Sequence, residues 1–188
     1  IDVCRSVGIP ARFVGTPSWY NNSGNHSWVE IWDGEWHFTG AAEPTEDRLN
    51  ESWFEDLASK AEKGSDKYGI FAATWEHTDI YFPMDWLPGV KEYNAIDVTN
   101  RYKSSLVDDE FVPIRIRALD SSGNRQQVKV IIYGENNFTK QGFSKDETCD
   151  ANDHLTFMVP KGETFTLQSK KVTKIIKADK EKLINLEI

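Results

Sequence analysis

Of the four histidines in the chain, His26 stands where an imidazole can work. An unperturbed histidine titrates near neutrality, so the residue type can take a proton and return it within one reaction cycle. The stretch around it, Gly24 to Pro44 (GNHSWVEIWDGEWHFTGAAEP), reads as a β-hairpin with the histidine at its mouth. Ser27 to Trp32 alternates with the period of a strand, Asp33-Gly34 is a two-residue turn signal, and Glu35 to Thr39 returns with the same alternation. With that turn, Trp32 faces Glu35, Glu30 faces His37, Trp28 faces Thr39 and His26 faces Ala41. His26, Trp28, Glu30 and Trp32 then share one face. Val29 and Ile31, with Trp36 and Phe38 across from them, make an apolar face expected to lie on the core. Extending the parity puts Glu43 on the His26 side, as a diagonal neighbour about 7 Å away before side-chain reach is counted.

The elements that must position this hairpin follow from the punctuation of the chain. Ile1 to Val7 reads as a helix, stopped by Gly8 and Pro10, and Ala11 to Thr16 as a short buried strand. A loop rich in turn formers, Pro17 to Gly24, leads into the hairpin. After an acidic run, Thr45 to Glu51, a helix over Ser52 to Ala61 would put Trp53, Phe54, Leu57 and Ala61 on one face. Tyr68 to Trp75 is strand-like, and YFPMDWLPG is a packed connector. From Asn94 the pattern is plain β: Val112 to Leu119, Gln127 to Tyr133, His154 to Val159, Glu163 to Ser169, Val172 to Ala178 and Lys182 to Ile188 are short alternating runs. Turn signals separate them, so a small antiparallel sandwich, Ig-like or prealbumin-like, is expected. This half has no cluster of ligating side chains, and His154 reads as a surface residue.

Composition divides the chain at the same place. All seven tryptophans lie at or before Trp86. Up to Asn100 there are 7 basic against 17 acidic residues, net −10, and from Arg101 there are 15 against 13, net +2, so the total of −8 is carried by the first half. Two domains are expected, residues 1–93 and 94–188, joined near Tyr93 to Ile96. The acidic first half excludes nucleic acid and anionic membrane surfaces as its partners. No segment is long and apolar enough to span a bilayer. Cys4 and Cys149 fall in different halves, which leaves a disulfide between them open but makes no disulfide framework. Sequons stand at Asn21, Asn25, Asn50 and Asn137, and read as chance matches in an Asn-rich chain.

GIPAR after a helix, then a loop, HSWVEIW, a turn and WHF together resemble the transglutaminase-like superfamily of thiol acyltransferases and peptidases. The resemblance covers Ile1 to about Pro44 by motif and reaches Tyr93 by order of elements. It implies an α+β fold class: a papain-like core, truncated at its N-terminus, followed by the β-sandwich. His26 matches the catalytic base of the family. The nucleophilic cysteine of such proteins heads the long helix that ends at the GIPAR turn. By this correspondence it lies upstream of Ile1, while Cys4, in the last helical turn, is a packing residue. An exposed apolar patch around Val3, Val7 and Val14, with a tendency to oligomerise, would follow from the truncated helix.

The third catalytic group departs from the pattern. Counted from Trp36, the position where the family carries Asp is Gly40. Glu43 is the candidate in its place, set against an ordinary surface glutamate, with Asn25 and Asp47 as weaker substitutes. His37 is expected to pair locally with Glu30. The implied chemistry is two-step acyl transfer through a thioester on a protein or peptide substrate, such as a cell-wall peptide, with water or an amine as acceptor. Trp19, Tyr20 and Trp28 could wall the substrate cleft or belong to the core. No metal or organic cofactor is implied, and the resemblance points to an extracytoplasmic bacterial protein. The reading from a different class is a non-catalytic module presenting an aromatic groove to a peptide or glycan.

Overall fold

The computed structural model describes residues 1–41, 43, 48–84, 86–87, 89–103, 110–135, 137–170 and 172–188. The chain divides into two compact units, Ile1–Ser105 and Leu106–Ile188. Both are built on β-sheet, which overturns the expected α+β class. The helices among the described residues are α1 (Asp2–Ser6), α2 (Glu55–Ser59) and α3 (Thr99–Tyr102), of five, five and four residues. None is long enough to form one layer of a papain-like core. The expected helix over Ser52 to Ala61 shrinks to α2, where the Glu55 carboxylate accepts from the Ser52 backbone N–H at 2.7 Å in the manner of a capping box.

The first unit is a five-stranded antiparallel sheet in the order β3-β2-β1-β4-β5. Its strands are β1 (Ala11–Thr16), β2 (His26–Trp32), β3 (Trp36–Thr39), β4 (Phe71–Ala73) and β5 (Ala95–Asp97). β5 pairs with β4, and α3 packs against α2. Residues 95–102, at and beyond the joint expected near Tyr93 to Ile96, therefore lie within this unit. The sheet buries side chains on both faces. One carries Val14, Trp28, Ala72 and Ile96, covered by Trp19, Phe54, Leu57, Ala58 and Tyr102. The other carries Phe71 and Ala95 against Phe82, with the Phe13 ring 5.2 Å from that of Phe82.

The hairpin register differs by one residue from the expected one. Trp32 pairs with Trp36, Ile31 with His37, Glu30 with Phe38 and Val29 with Thr39, so the loop is the three residues Asp33 to Glu35. A one-residue slip turns every side chain of β3 over. Trp36 and Phe38 move to the His26 face, where Phe38 lies 5.7 Å from Phe54 and 5.3 Å from Tyr102, ring to ring. Packing of the half-buried Phe38 ring against Phe54 and Tyr102 outweighs the local turn preference. The larger core thus lies on the face of His26, Trp28 and Glu30, where the expectation put it on the other, although Val29 on that other face is buried as well. Val14 belongs to that core at 0% exposure, while Val3 and Val7 are exposed at 80% and 70%. The expected apolar patch accordingly loses Val14.

The second unit is a sandwich of a four-stranded sheet, β11-β10-β7-β8, and a three-stranded sheet, β12-β6-β9. The strands are β6 (Phe111–Leu119), β7 (Lys129–Tyr133), β8 (Thr139–Phe143), β9 (Leu155–Pro160), β10 (Thr164–Ser169), β11 (Val172–Lys177) and β12 (Lys182–Glu187). Alternate residues of both sheets, among them Ile114, Ile116, Val130, Ile132, Phe157, Val159, Phe165, Leu167 and Leu186, fill one core. The sandwich is not wholly antiparallel, because β12 runs parallel to β6. The chain leaves the β10–β11 hairpin in one sheet and enters the other alongside β6, where Leu186 completes the core. His154 is half-buried, and its Nδ1 lies 3.1 Å from the Asp153 carbonyl oxygen.

Candidate functional site

His26 opens β2 opposite Thr16, the last residue of β1. Between these strands Gly15 is required by close approach: a Cβ there would stand 2.9 Å from the His26 carbonyl oxygen and 3.0 Å from Ser27 Oγ. The imidazole points into the core face, with its side chain only 9% exposed. Four aromatic rings surround it, with centroids at 4.8 Å for Trp53, 5.1 Å for Phe54, 5.9 Å for Trp28 and 6.2 Å for Trp19. Such a box keeps water from the ring.

Glu43 Oε2 lies 3.6 Å from His26 Nε2, an ion-pair distance longer than a hydrogen bond. Strand parity does not bring it there, since β3 ends at Thr39 and its register is not the expected one. The chain instead folds back at Gly40, where a Cβ would stand 2.6 Å from the Glu43 carbonyl oxygen. The glycine at the position where the resemblance calls for a carboxylate is therefore what lets Glu43 return to the histidine. The Trp53 indole N–H donates to the same Oε2 at 2.5 Å.

The other expected site residues lie as follows. Trp19 and Trp28 are buried in the core and do not wall an open cleft. Tyr20 is half-buried, and its hydroxyl accepts from Lys60 Nζ at 3.0 Å. Asn25 is exposed, and Asp47 lies outside the described residues. His37 does not face Glu30; its Nδ1 is 2.8 Å from Asn50 Nδ2 and its Nε2 is 4.0 Å from Glu35 Oε1. Cys4 and Cys149 are both free thiols. Among the described residues no three His, Cys, Asp or Glu side chains converge in a way that could hold a metal ion.

Sequence reasoning missed Trp53 as a partner of Glu43, having placed it only on the buried side of a helix. It also missed a buried polar network on the same sheet face. Arg12 Nε donates to Glu30 Oε2 at 2.7 Å, the Tyr102 hydroxyl donates to Glu30 Oε1 at 2.7 Å, and Trp28 Nε1 donates to the Tyr102 hydroxyl at 2.8 Å. The Arg12 guanidinium also covers the Trp36 ring at 3.9 Å. A carboxylate this deeply buried is tolerated because both oxygens are paired. Burial, and next the charge of Glu30, push the Tyr102 hydroxyl well above its ordinary pKa, so it stays a donor. Beside this network a cleft of about 730 Å³ opens between the hairpin and α3, lined among others by Trp32, Glu35, Trp36, Asn50 and Arg101.

Together these contacts make a shielded imidazole with a carboxylate at one ring nitrogen and a hydrogen-bonded polar network next to it. A carboxylate so placed can bias which ring nitrogen carries the proton.

Comparison with known proteins bears on the same stretch. The family described as the transglutaminase-like superfamily matches residues 1–41, a span of 41 of the 188 residues that contains His26 and ends short of Glu43. No curated protein matches the chain. Two crystal structures of the C-terminal fragment of the pilus adhesin SpaC from Lactobacillus rhamnosus GG are similar in part. The iodide-soaked one has 8% identity, coverage of 89% of this chain and 74% of that one, and a TM-score of 0.30. The other has 9% identity, coverage of 94% and 87%, and a TM-score of 0.30. At that score the two structures carry no argument about fold or function, and the chain is similar to the transglutaminase-like superfamily over its first 41 residues only.

Proposed function

We propose that the first unit carries the base and the orienting acid of a thiol-dependent acyl transfer on peptide amide bonds. His26 is the base, Glu43 the acid, and a cysteine N-terminal to Ile1 the nucleophile. The observation that carries this reading is the Glu43 carboxylate 3.6 Å from His26 Nε2 inside an aromatic enclosure. The similarity of residues 1–41 to the transglutaminase-like superfamily supports it.

In the first step the thiolate attacks the amide carbonyl and the C–N bond breaks. The imidazolium gives its proton to the departing amine, leaving a thioester. In the second step imidazole takes a proton from water or an amine, which attacks the thioester and releases the thiolate. Glu43 keeps the proton on Nε2 throughout, so that Nδ1 is the nitrogen that exchanges it. The substrate is a protein or peptide, cell-wall peptide included, and the setting extracytoplasmic.

The test is made in the full product of the gene. A peptidyl electrophile directed at thiols should label a cysteine outside residues 1–188, and His26→Ala should abolish that labelling. Glu43→Gln should slow turnover by roughly 10²-fold or more, as for other orienting acids. Labelling untouched by His26→Ala would overturn the reading.

A second reading is favoured by one observation, the cleft of about 730 Å³ lined by Trp32, Trp36, Glu35, Asn50 and Arg101. Aromatic walls with a few polar groups of both signs suit a non-catalytic site for a peptide or glycan. Binding of such a ligand that is lost in Trp32→Ala, in a gene product with no His26-dependent labelling, would favour this reading over the first.

A further inference from the structure

The reading of His26 and Glu43 as a base and its orienting acid leaves open what holds the acid. We infer that Trp53 is a positioning residue for the pair: its indole N–H fixes the Glu43 carboxylate at His26, and its ring closes the enclosure around the imidazole. The inference rests on the proposed function and extends it to a residue outside the stretch that the transglutaminase-like family matches.

Three observations meet at this side chain. Trp53 Nε1 donates to Glu43 Oε2 at 2.5 Å, and that is the oxygen 3.6 Å from His26 Nε2. The Trp53 ring is also the nearest aromatic ring to the imidazole, at 4.8 Å and tilted 59°. Its own setting is fixed by neighbours, edge-on to Phe54 at 5.6 Å and to Trp19 at 6.4 Å. Trp53 directly precedes Phe54, which is fully buried at the start of α2.

A glutamate has three rotatable bonds, and this one is a quarter exposed at its side chain. Left alone it would spend much of its time in water, where a surface ion pair is worth little. A charge-assisted hydrogen bond from a rigid indole removes that freedom and keeps one oxygen beside Nε2. A glutamate reaching from beyond Gly40 needs such an anchor more than a carboxylate on the strand itself would.

Phenylalanine at position 53 retains an aromatic ring and removes the N–H, so it separates the two roles. The experiment follows the His26 ring protons by NMR across pH in the 188-residue chain, in Trp53→Phe, Glu43→Gln and the double variant. Expected is a titration midpoint roughly 1 pH unit lower in Glu43→Gln, as for loss of a nearby carboxylate. Trp53→Phe should give a sizeable part of that fall, with no further fall when it is added to Glu43→Gln. An unmoved midpoint in Trp53→Phe alone, or an equal fall from it in the Glu43→Gln background, overturns the inference and leaves the pair intact. An unmoved midpoint in Glu43→Gln overturns the pair itself and the inference with it. Should Trp53→Phe not fold, the unaltered chain still decides: the Trp53 indole N–H resonance must move as the Glu43 carboxylate is protonated, and a resonance that stays flat overturns the assignment.

Discussion

Tyr102→Phe is the most exacting test of the buried floor of the first unit. The substitution keeps the ring, which packs edge-on to Trp28 at 5.3 Å and against Phe38 at 5.3 Å, so no large cavity is created. What it removes is one oxygen that accepts from Trp28 Nε1 and donates to Glu30 Oε1. The stranded indole N–H costs about 1–3 kcal/mol, and the lost bond to an ionised carboxylate about 1.5–3 kcal/mol. Their sum, about 2.5–6 kcal/mol, is a large part of the stability of a small unit. At roughly 1–3 kcal/mol per molar urea, the unfolding midpoint should fall by about 2 M. Tryptophan fluorescence reads this unit selectively, since all seven tryptophans lie at or before Trp86. Tyr68→Phe is the control: its hydroxyl bonds Asn22 Oδ1 at the surface, and its loss should cost under about 0.5 kcal/mol. A Tyr102→Phe effect no larger than that of Tyr68→Phe would refute the account of a buried, hydrogen-bonded network.

Further expectations follow from single contacts. Gly40→Ala should destabilise the first unit by about 1–3 kcal/mol, because a Cβ 2.6 Å from the Glu43 carbonyl oxygen forces the chain apart; its His26 titration should then resemble that of Glu43→Gln, and a parent-like titration would count against the role given to the turn. Iodoacetamide at neutral pH should modify Cys4 no faster than free cysteine. Cys4 lies in α1, whose Arg5 side chain bonds the Ala11 carbonyl, while His26 stands at the Thr16 end of β1, about 16 Å further along the strand. Rapid His26-dependent labelling of Cys4 would show the nucleophile to be in this chain. In the second unit, burial and then the neighbouring Arg117 lower the His154 pKa to about 4. The unfolded chain, titrating near 6.5, binds the proton first, so stability contributed by the neutral ring is complete above about pH 6.5 and is lost as pH falls towards 4. The ceiling is about 3 kcal/mol, and partial exposure of the ring should reduce it to about 1–2 kcal/mol. Thermal unfolding of the parent and His154→Gln at pH 7 and pH 5 isolates this term from Asp153, whose burial raises its pKa and acts in the opposite sense; equal pH dependence in both would contradict it.

What the sequence made legible was local. The six alternating runs of the second unit are strands to within two residues of their expected ends, with alternate burial clearest in β7 and β10. Thr139–Phe143 was missed because this edge strand exposes nearly all its residues and so carries no alternation. The parallel pairing of β12 with β6 was not legible either, since periodicity marks a strand but not its neighbour. In the first unit the α+β class implied by the resemblance failed on length: the expected helices are single turns of five residues beside a sheet. The hairpin register failed because the side on which Phe38 packs is decided by Phe54 and Tyr102, many residues away in sequence. The placement of Glu43 beside His26 depends on a turn at Gly40 and an anchor at Trp53, neither of which strand parity contains.

The central claim is that Glu43 holds a proton on one particular nitrogen of His26. Long-range ¹⁵N–¹H correlation of His26, recorded in the 188-residue chain at a pH above its titration, reads the tautomer directly. The account predicts Nε2–H with an unprotonated Nδ1, and loss of that preference in Glu43→Gln. A ring protonated on Nδ1 in the parent chain, or one whose tautomer is the same in Glu43→Gln, would contradict it.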